Sequence, residues 1–411
     1  MKIKPCVVGL GYVGLPALIK ISKKFNAYGF DIDSKRIKTL QKKNDFNQEF
    51  SKKDLTYLKI NNLTNKFEEI RICNFFIVCV PTPIKKDKKP DLNPLISACK
   101  YLGVILKKND TVVFESTVYP GATENVCIPI LEKKSKLKYR NNDFNVCYSP
   151  ERINPGDKEH TIDKINKLIA IPNKKNERDV LAVYKYLSKK IFISRSIKET
   201  ETSKVIENIQ RDLNIALMNE VYIFCEKLGL NFYNVLEQAK TKWNFGQYLP
   251  GLVGGHCLPV DPYYFSHIAK KNNFKTSVTL AGRNTNENMK NFIINLIKKK
   301  LIKNKINILM DKVIFTGLTY KKNVSDLRNS HALKIFEHFS KLSKNVYGVD
   351  PFLFNKNNRN NEKLIHLNQL YRDPKIKCIV LLVEHDSFKG MIKKINKKIH
   401  VINLFNFYEK S

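Results

Sequence analysis

A chain of 411 residues is too long for one hydrophobic core, so two or three domains are expected. Its apolar share of 43% is ordinary for a globular protein, and no apolar run reaches the length of a bilayer, so no membrane insertion is expected. Lys and Arg outnumber Asp and Glu by 73 to 38, a net charge of +35, yet the cations are scattered, and the short clusters at 298–300 and 393–394 lie in amphipathic, helix-like text. The excess reads as solvated faces that favour anionic small molecules, without a nucleic-acid partner.

Nine Cys is an odd number, and no pair has metal-ligand spacing. That predicts reduced thiols in the cytoplasm and no metal site. Lys2 and Lys4 before an apolar run mimic the start of a signal peptide, but the glycines that follow have a different explanation.

Residues 4–10 read as a buried strand, Gly9-Leu10-Gly11-Tyr12-Val13-Gly14 as a turn, 15–24 as a helix and 26–30 as a second strand ending in Asp31. In this order Gly9 permits the tight turn, Gly11 admits a pyrophosphate to the backbone, and Gly14 lets helix and strand approach closely. The helix N-terminus offers amide donors to the anion. Asp31 stands 20 residues after Gly11, where a carboxylate accepts from the ribose hydroxyls of NAD. Lys35 and Arg36 would suit the 2′-phosphate of NADP, but Asp31 repels it, so NAD is the expected cofactor.

Further strands are predicted at 74–80, 111–115 and 145–148, followed by Pro81-Thr82-Pro83, Ser116-Thr117-Val118 and Ser149-Pro150-Glu151-Arg152. Ligands of open parallel sheets bind beyond the carboxyl ends of the strands, so Thr82, Thr117 and Glu151 are expected to face one crevice. As isolated residues they would only satisfy local loop backbone. The charged stretch 140–143 receives no role.

The pattern changes at 199–228, which lacks Gly and Pro and repeats apolar residues at Val205, Ile209, Leu213, Leu217, Val221 and Phe224. This predicts a helix of about thirty residues, suited to a domain connector or a dimer spine. Lys204 and Asn208 are four apart and share one face. A loop at 241–265 follows, with the only Trp, several Gly and Pro, and Gly254-Gly255-His256-Cys257 at its centre. A thiol behind two glycines, beside a His and four residues before Asp261, suggests an activated nucleophile, whereas an isolated Cys is more often a small buried hydrophobe. Ala281-Gly282-Arg283-Asn284-Thr285-Asn286 comes next, then a helix to about residue 303.

Residues 304–307 form a polar link to a second α/β pattern: a strand at 312–316, Gly317-Leu318-Thr319-Tyr320-Lys321-Lys322, a stretch from Ser325 through Arg328 to Ser330, a helix to 343, and strands at 345–349, 377–383 and 400–404. Lys321 and Arg328 are available for phosphate. The Asn/Lys-rich stretch 355–361 reads as a mobile insertion. The expected architecture is α/β: two Rossmann-like doubly wound domains, 1–196 and 305–411, joined by a long-helix α domain at 197–304.

The text at 8–16, 80–84, 115–120, 149–155, 207–220, 241–245, 250–264 and 317–330 resembles, in order and over essentially the full length, the UDP-glucose/GDP-mannose dehydrogenase family. Within it the chain is most similar to the bacterial UDP-N-acetylhexosamine 6-dehydrogenases that supply surface polysaccharides such as capsule and lipopolysaccharide. The resemblance implies a four-electron oxidation of a sugar C6 alcohol to a carboxylate with two NAD in turn, by a homodimer acting on a UDP-sugar. It makes Cys257 the nucleophile that carries a thiohemiacetal and then a thioester. Lys204 and Asn208 become oxyanion stabilisers, Asp261 the carboxylate that works with the Lys, Glu151 the base for hydrolysis and Thr117 the group that orders water. Asp31 and Arg36 match adenosine-ribose contacts, with Gly9, Gly11, Tyr12, Val13, Gly14, Thr82, Ser116 and Thr117 around the dinucleotide. Glu151, Arg152, Lys204, Asn208, Arg211, Gly254, Gly255, His256, Arg283, Lys321 and Arg328 line the UDP-sugar site, one arginine often reaching across a dimer.

Two positions depart from the N-acetylglucosamine and N-acetylgalactosamine enzymes. Leu258-Pro259 replaces their usual Ile-Gly and is closer to the N-acetylmannosamine branch, and Leu249 stands where relatives often carry Arg. The text at 241–245 and 207–219 favours the glucosamine/galactosamine branch. UDP-N-acetylmannosamine and UDP-glucose remain the alternative substrates. A 3-hydroxy acid dehydrogenase would need no essential Cys and no second nucleotide-like domain. A non-enzymatic nucleotide binder would not need Cys257, Lys204, Asn208 and Asp261 together.

Overall fold

The computed structural model describes residues 2–45, 49–153, 164–353, 363–392, 395 and 398–406. The stretches 355–361 and 393–394 singled out above fall outside the described residues. Two compact units form, Met1–Glu207 with Tyr263–Lys275, and Asn208–Pro262 with Thr276–Ser411.

The first unit holds the strands β1 (Pro5–Val8), β2 (Tyr28–Phe30), β3 (Leu63–Thr64), β4 (Phe75–Val78), β5 (Thr111–Phe114), β6 (Asn145–Tyr148), β7 (Lys167–Ala170) and β8 (Ile191–Ser194). They make one sheet in the order β3-β2-β1-β4-β5-β6-β7-β8. The first six strands run parallel, as a doubly wound sheet requires, and β7 turns antiparallel against β6 through Tyr148 and Ala170. Strands such as Pro5–Val8 and Phe75–Val78 are buried at every residue because helices cover both faces. Those helices are α1 (Gly14–Ser22), α2 (Ser34–Gln41), α3 (Asn93–Ile105), α4 (Ile128–Ser135) and α5 (Glu177–Tyr184). A π-helical turn, Thr123–Cys127, leads into α4.

The sixth helix, α6 (Ile197–Leu228), is 32 residues long, as its uninterrupted text predicts. It is followed by α7 (Phe232–Ala239), α8 (Asp261–Lys271) and α9 (Ser277–Lys303). Here the structure corrects the sequence reading twice. The loop ends at Asp261 rather than 265, because Asp-Pro suits a first helical turn, where proline's missing N–H costs nothing. Residues 281–286 lie inside α9, not before it. Gly282 is tolerated there because a Cβ would stand 2.4 Å from Leu213 Cδ2, so α9 crosses α6 at close range.

The apolar stripe of α6 turns inward only in part: Val205 and Ile209 are buried and Leu213 and Val221 half-buried, but the stripe does not account for the rest of the buried face. Asp212, Ala216, Asn219, Tyr222 and Cys225 are buried, while Leu217, Phe224 and Leu228 are exposed. The inward face is held by polar pairing: Asn219 exchanges hydrogen bonds with the Gly251 backbone and donates to Asn286. The second sheet joins β9 (Lys312–Thr316), β10 (Val346–Val349), β11 (Ile376–Leu381) and β12 (His400–Asn403), all parallel, in the order β10-β9-β11-β12. Its residues alternate between two cores. Val313, Phe315, Cys378 and Val380 join Met218, Tyr222, Met289 and Ile293 of α6 and α9, together with α10 (His331–Leu342). Ile314, Ile379 and Leu381 face Leu370 of α11 (Gln369–Arg372) and Phe388 of α12 (Asp386–Ile392). Among the described residues no helix is long and apolar enough to cross a membrane.

Candidate active site

The strand β1 ends in the glycine turn. Gly9 has φ +92°, and a Cβ there would lie 2.9 Å from the Cys79 carbonyl oxygen at the end of β4. At Gly14 a Cβ would fall 1.8 Å from the Gly9 oxygen, so the helix can approach the strand only through glycine. Gly11 differs, since nothing lies within 4 Å of its Cβ position. The turn therefore leaves open space at the glycine where a pyrophosphate would meet the backbone, ahead of the nine-residue α1. Tyr12 and Val13 bridge the turn to α1, half-buried.

Asp31 stands at the end of β2 and braces this turn. Its Oδ2 accepts the Leu10 N–H at 2.7 Å and its Oδ1 the Asp33 N–H at 2.9 Å, leaving one lone-pair direction on each oxygen. Arg36 is buried beneath the turn, where Nε donates to the Leu10 carbonyl at 2.8 Å and Nη1 pairs with Asp45 at 2.7 Å. Behind the neighbouring strands, Thr82 Oγ1 donates to the Thr117 carbonyl and Ser116 Oγ to the Val80 carbonyl, each at 2.6 Å. These three residues thus form one seam beyond β4 and β5. Tyr264 on α8 donates to the Thr82 carbonyl from the other side.

Glu151 follows β6 and is almost fully buried. Its Oε1 accepts the N–H groups of Arg152 and Ile153, both at 2.6 Å, and its Oε2 accepts the Lys167 ammonium at 2.8 Å. Burial alone would raise this carboxyl; Lys167 and the two backbone donors outweigh it and hold Glu151 below its usual range. Arg152 is ion-paired with Glu207 of α6. Lys204, on the same helix, is only 6% exposed, and its ammonium has no hydrogen-bond or ion-pair partner among the described residues. A cation so placed is free to meet an anion that is not part of the fold.

In the second unit Asn208, one turn beyond Lys204 in α6, donates from its amide to the buried Asp261 carboxylate at the head of α8. The Cys257 carbonyl accepts the N–H groups of Val260 and Asp261, both at 2.9 Å, which seats the cysteine just before that helix. All nine cysteines are free thiols, and only Cys79 and Cys257 are not fully buried. Desolvation and Glu115 push the Cys79 thiol well up, which leaves it inert at neutral pH. Gly254 and Gly255 hold Cys257 in place. A Cβ at Gly254 would meet the Asn329 carbonyl at 2.8 Å; Gly255 has φ +85° and would meet the Tyr320 ring at 2.7 Å. Gly255 donates to the Arg328 carbonyl at 3.1 Å, and its own carbonyl accepts Asn329 Nδ2 at 2.8 Å.

The arginines expected at the substrate site differ from one another. Arg283 is 1% exposed, paired with the buried Asp212 and 3.4 Å from the Leu258 carbonyl; it anchors the cysteine loop to α6. Arg211 is exposed. Arg328 is held by Asp326 through Nε and Nη2, and those bonds outweigh burial to keep Asp326 below its usual range. His256 Nδ1 lies 4.0 Å from the same carboxylate. Lys321 sits in a loop fixed from below: Asp350, at the end of β10, accepts the Leu318 and Thr319 N–H groups at 2.7 and 3.1 Å, and His385 Nδ1 accepts the Asn323 N–H at 3.0 Å.

Models of three domains match the chain in succession: the NAD binding domain of the UDP-glucose/GDP-mannose dehydrogenase family over residues 1–188, its central domain over 198–288, and its UDP binding domain over 314–410. The chain belongs to that family. It is accordingly an NAD-dependent UDP-sugar dehydrogenase, with a Rossmann NAD-binding domain first, a helical domain in the centre and a UDP-binding domain last. It is 40% identical over 406 residues to the UDP-N-acetyl-D-glucosamine 6-dehydrogenase of Salmonella typhi, covering 98% of this chain and 95% of the relative. The enzyme of the same name from Pseudomonas aeruginosa is 40% identical over 405 residues, with 97% and 96% covered. Among solved structures the UDP-D-ManNAc dehydrogenase of Pyrococcus horikoshii matches with a TM-score of 0.84 at 29% identity, over 100% of this chain and 97% of that one. The open Gly11 cradle and the Asp31 lone pairs fit the NAD that the first domain implies.

Sequence reasoning passed over Glu115, Lys167, Asp212, Asp350 and His385. Only Asp350 carried a local signal: it follows a strand as Asp31 does, and each accepts the N–H of the leucine in a Gly-Leu turn, Leu10 or Leu318.

Proposed function

We propose that this enzyme oxidises the C6 hydroxyl of a UDP-N-acetylhexosamine, GlcNAc or GalNAc, to the uronic acid for surface polysaccharide synthesis, through a thiohemiacetal and then a thioester on Cys257. The observation that carries the reading is the seat of Cys257: a half-buried thiol on a Gly-Gly turn, its carbonyl bonded to the Asp261 N–H, and Asp261 in turn bonded to Asn208. Bound NAD supplies the hydride acceptor for both oxidations.

The chain's own groups do the rest. Cys257 retains the aldehyde, so a reactive intermediate is not lost between the two oxidations. Lys204 and the second N–H of Asn208 stabilise the oxyanion at C6, a large contribution when donors are fixed in advance. Asp261 works with Lys204 on the proton, Thr117 orders water, and Glu151 takes the water's proton during thioester hydrolysis. Asp31, Arg36, the glycine turn with Tyr12 and Val13, and the Thr82–Ser116–Thr117 seam hold the dinucleotide. Arg152, Arg211, Gly254, Gly255, His256, Arg283, Lys321 and Arg328 serve the UDP-sugar.

A second substrate reading rests on Pro259 and favours UDP-N-acetylmannosamine. NADH formation with UDP-GlcNAc, UDP-GalNAc, UDP-ManNAc and UDP-glucose separates them. The first two are expected to be turned over best, and a preference for either of the others overturns the sugar assignment. We also assign a homodimer built on the outward residues of α6, because Leu217, Phe224 and Leu228 are exposed there, and the same unit exposes 92% of Trp243. Sedimentation equilibrium at micromolar concentration should give twice the 47.7 kDa chain mass; the chain mass itself would contradict it.

A further inference from the structure

The first unit buries a line of ionisable groups that the reaction as described does not use. Tyr184 of α5 donates its hydroxyl to Glu115 Oε1 at 2.7 Å. Glu115, just after β5, accepts the Lys167 ammonium on Oε2 at 2.9 Å, and the same ammonium reaches Glu151 Oε2 at 2.8 Å. Lys167 is the first residue of β7, the strand that runs antiparallel to its neighbour, and its side chain is 0% exposed. Two carboxylates and one ammonium are thus removed from water with no second cation in the line.

Such an arrangement is costly for a merely structural purpose, since well-packed apolar residues of the same volume commonly serve stability as well or better. Its effect falls on Glu151. With Oε1 committed to two backbone donors and Oε2 to Lys167, that carboxylate has one rotamer and is held in its charged form. Glu115 takes the opposite environment: burial pushes its carboxyl up despite Lys167. Two carboxyls sharing one cation are driven apart in proton affinity, the pattern by which sites assign acid and base roles.

We propose that Lys167 and Glu115 are positioning residues for Glu151, fixing its rotamer and setting the pH at which it becomes a competent base. The inference rests on the reading of Glu151 as the base for thioester hydrolysis. The other groups around the line do not titrate near neutrality. Burial pushes the thiols of Cys79 and Cys147 and the Tyr184 phenol well up. Lys167 is held above its ordinary value by the two glutamates, against desolvation. On the remaining side Arg152 stays paired with Glu207. The carboxyl beside Glu151 that burial pushes up is that of Glu115.

The test is the pH profile of kcat for the full-length enzyme with its accepted UDP-sugar, under saturating NAD. Lys167→Met removes the cation that holds Glu151 ionised. The acid limb should move up by one pH unit or more, with the loss on the acid side largely recovered at pH 9. If that variant does not fold, Glu115→Gln with Lys167→Met leaves a neutral neighbourhood, and the same upward displacement is expected. An acid limb at the wild-type position in whichever variant folds, with a loss equal at all pH values or no loss, overturns the proposal. Glu151→Gln separates the two ideas by intact mass. If it stalls with a sugar adduct on Cys257 while the Lys167→Met limb has not moved, only the positioning role fails. If it turns over normally with no adduct, the reading of Glu151 itself fails.

Discussion

In the proposed reaction the second half depends on which leaving group residue 257 offers. A serine hydroxyl can still add to the aldehyde and be oxidised, but an alkoxide leaves far more slowly than a thiolate. Cys257→Ser is therefore expected to accumulate a sugar ester, read as a mass increase on the peptide carrying residue 257 after incubation with substrate and NAD. Lys204→Ala should slow both oxidations by about 100-fold, the usual scale for one lost oxyanion donor. Wild-type turnover by Cys257→Ala would contradict the nucleophile assignment. Single residues were the hardest scale to read from the text alone. Cys257 stood out because two glycines precede it. Lys167 and Glu115 did not, because they meet from positions 52 residues apart and only the reversal of β7 brings them face to face. The burial of Arg283 against Asp212, whose carboxyl is pushed up by burial despite the arginine, was equally hidden, since the two stand 71 residues apart.

Among the elements, the two sheets repeat one device. A strand ends in Gly-Leu, a second strand ends in Asp, and the aspartate accepts the leucine N–H at 2.7 Å, Asp31 in one sheet and Asp350 in the other. The glycines of the first turn are required for different reasons, and substitution should separate them. Gly14→Ala places a Cβ 1.8 Å from the Gly9 oxygen and should lower stability by on the order of 3 kcal/mol. Gly11→Ala meets nothing in the protein, so thermal unfolding should be unchanged while NAD binding weakens roughly tenfold, about 1.4 kcal/mol, because the methyl occupies pyrophosphate space. Equal effects on folding would sink the distinction. The turn before α4 makes a pH prediction. Glu201 accepts the Gly121 and Thr123 N–H groups in full burial, and desolvation raises its carboxyl to about 7. A carboxyl raised on folding contributes stability that is present below its unfolded pKa and is lost as pH rises through the folded value. Glu201→Gln cannot acquire the charge. Its denaturation midpoint relative to wild type should thus climb between about pH 4.5 and 7 and level off above, by on the order of 3 kcal/mol at most. A difference independent of pH would refute this.

For the molecule as a whole, the parallel strands were legible because complete burial writes short apolar runs ended by turn residues. The long helix was legible because nothing in 32 residues interrupts it. What was not legible is which face of it turns inward. Its inner face carries Asp212 and Asn219, bonded to Arg283 and Asn286 from α9, so hydrophobicity does not mark it there. The start of α9 was hidden for a related reason, since Gly282 is a contact residue and not a helix breaker. The charge of +35 is spread over solvated faces, and Lys204 and Lys167 are buried exceptions. The central claim is that one enzyme carries out both oxidations while Cys257 holds the intermediate. Counting NADH against uronic acid, with the accepted UDP-sugar limiting and an aldehyde trap present, tests it most directly. The account predicts two NADH per uronate and no trapped aldehyde; one NADH per product, with the aldehyde recovered in the trap, would contradict it.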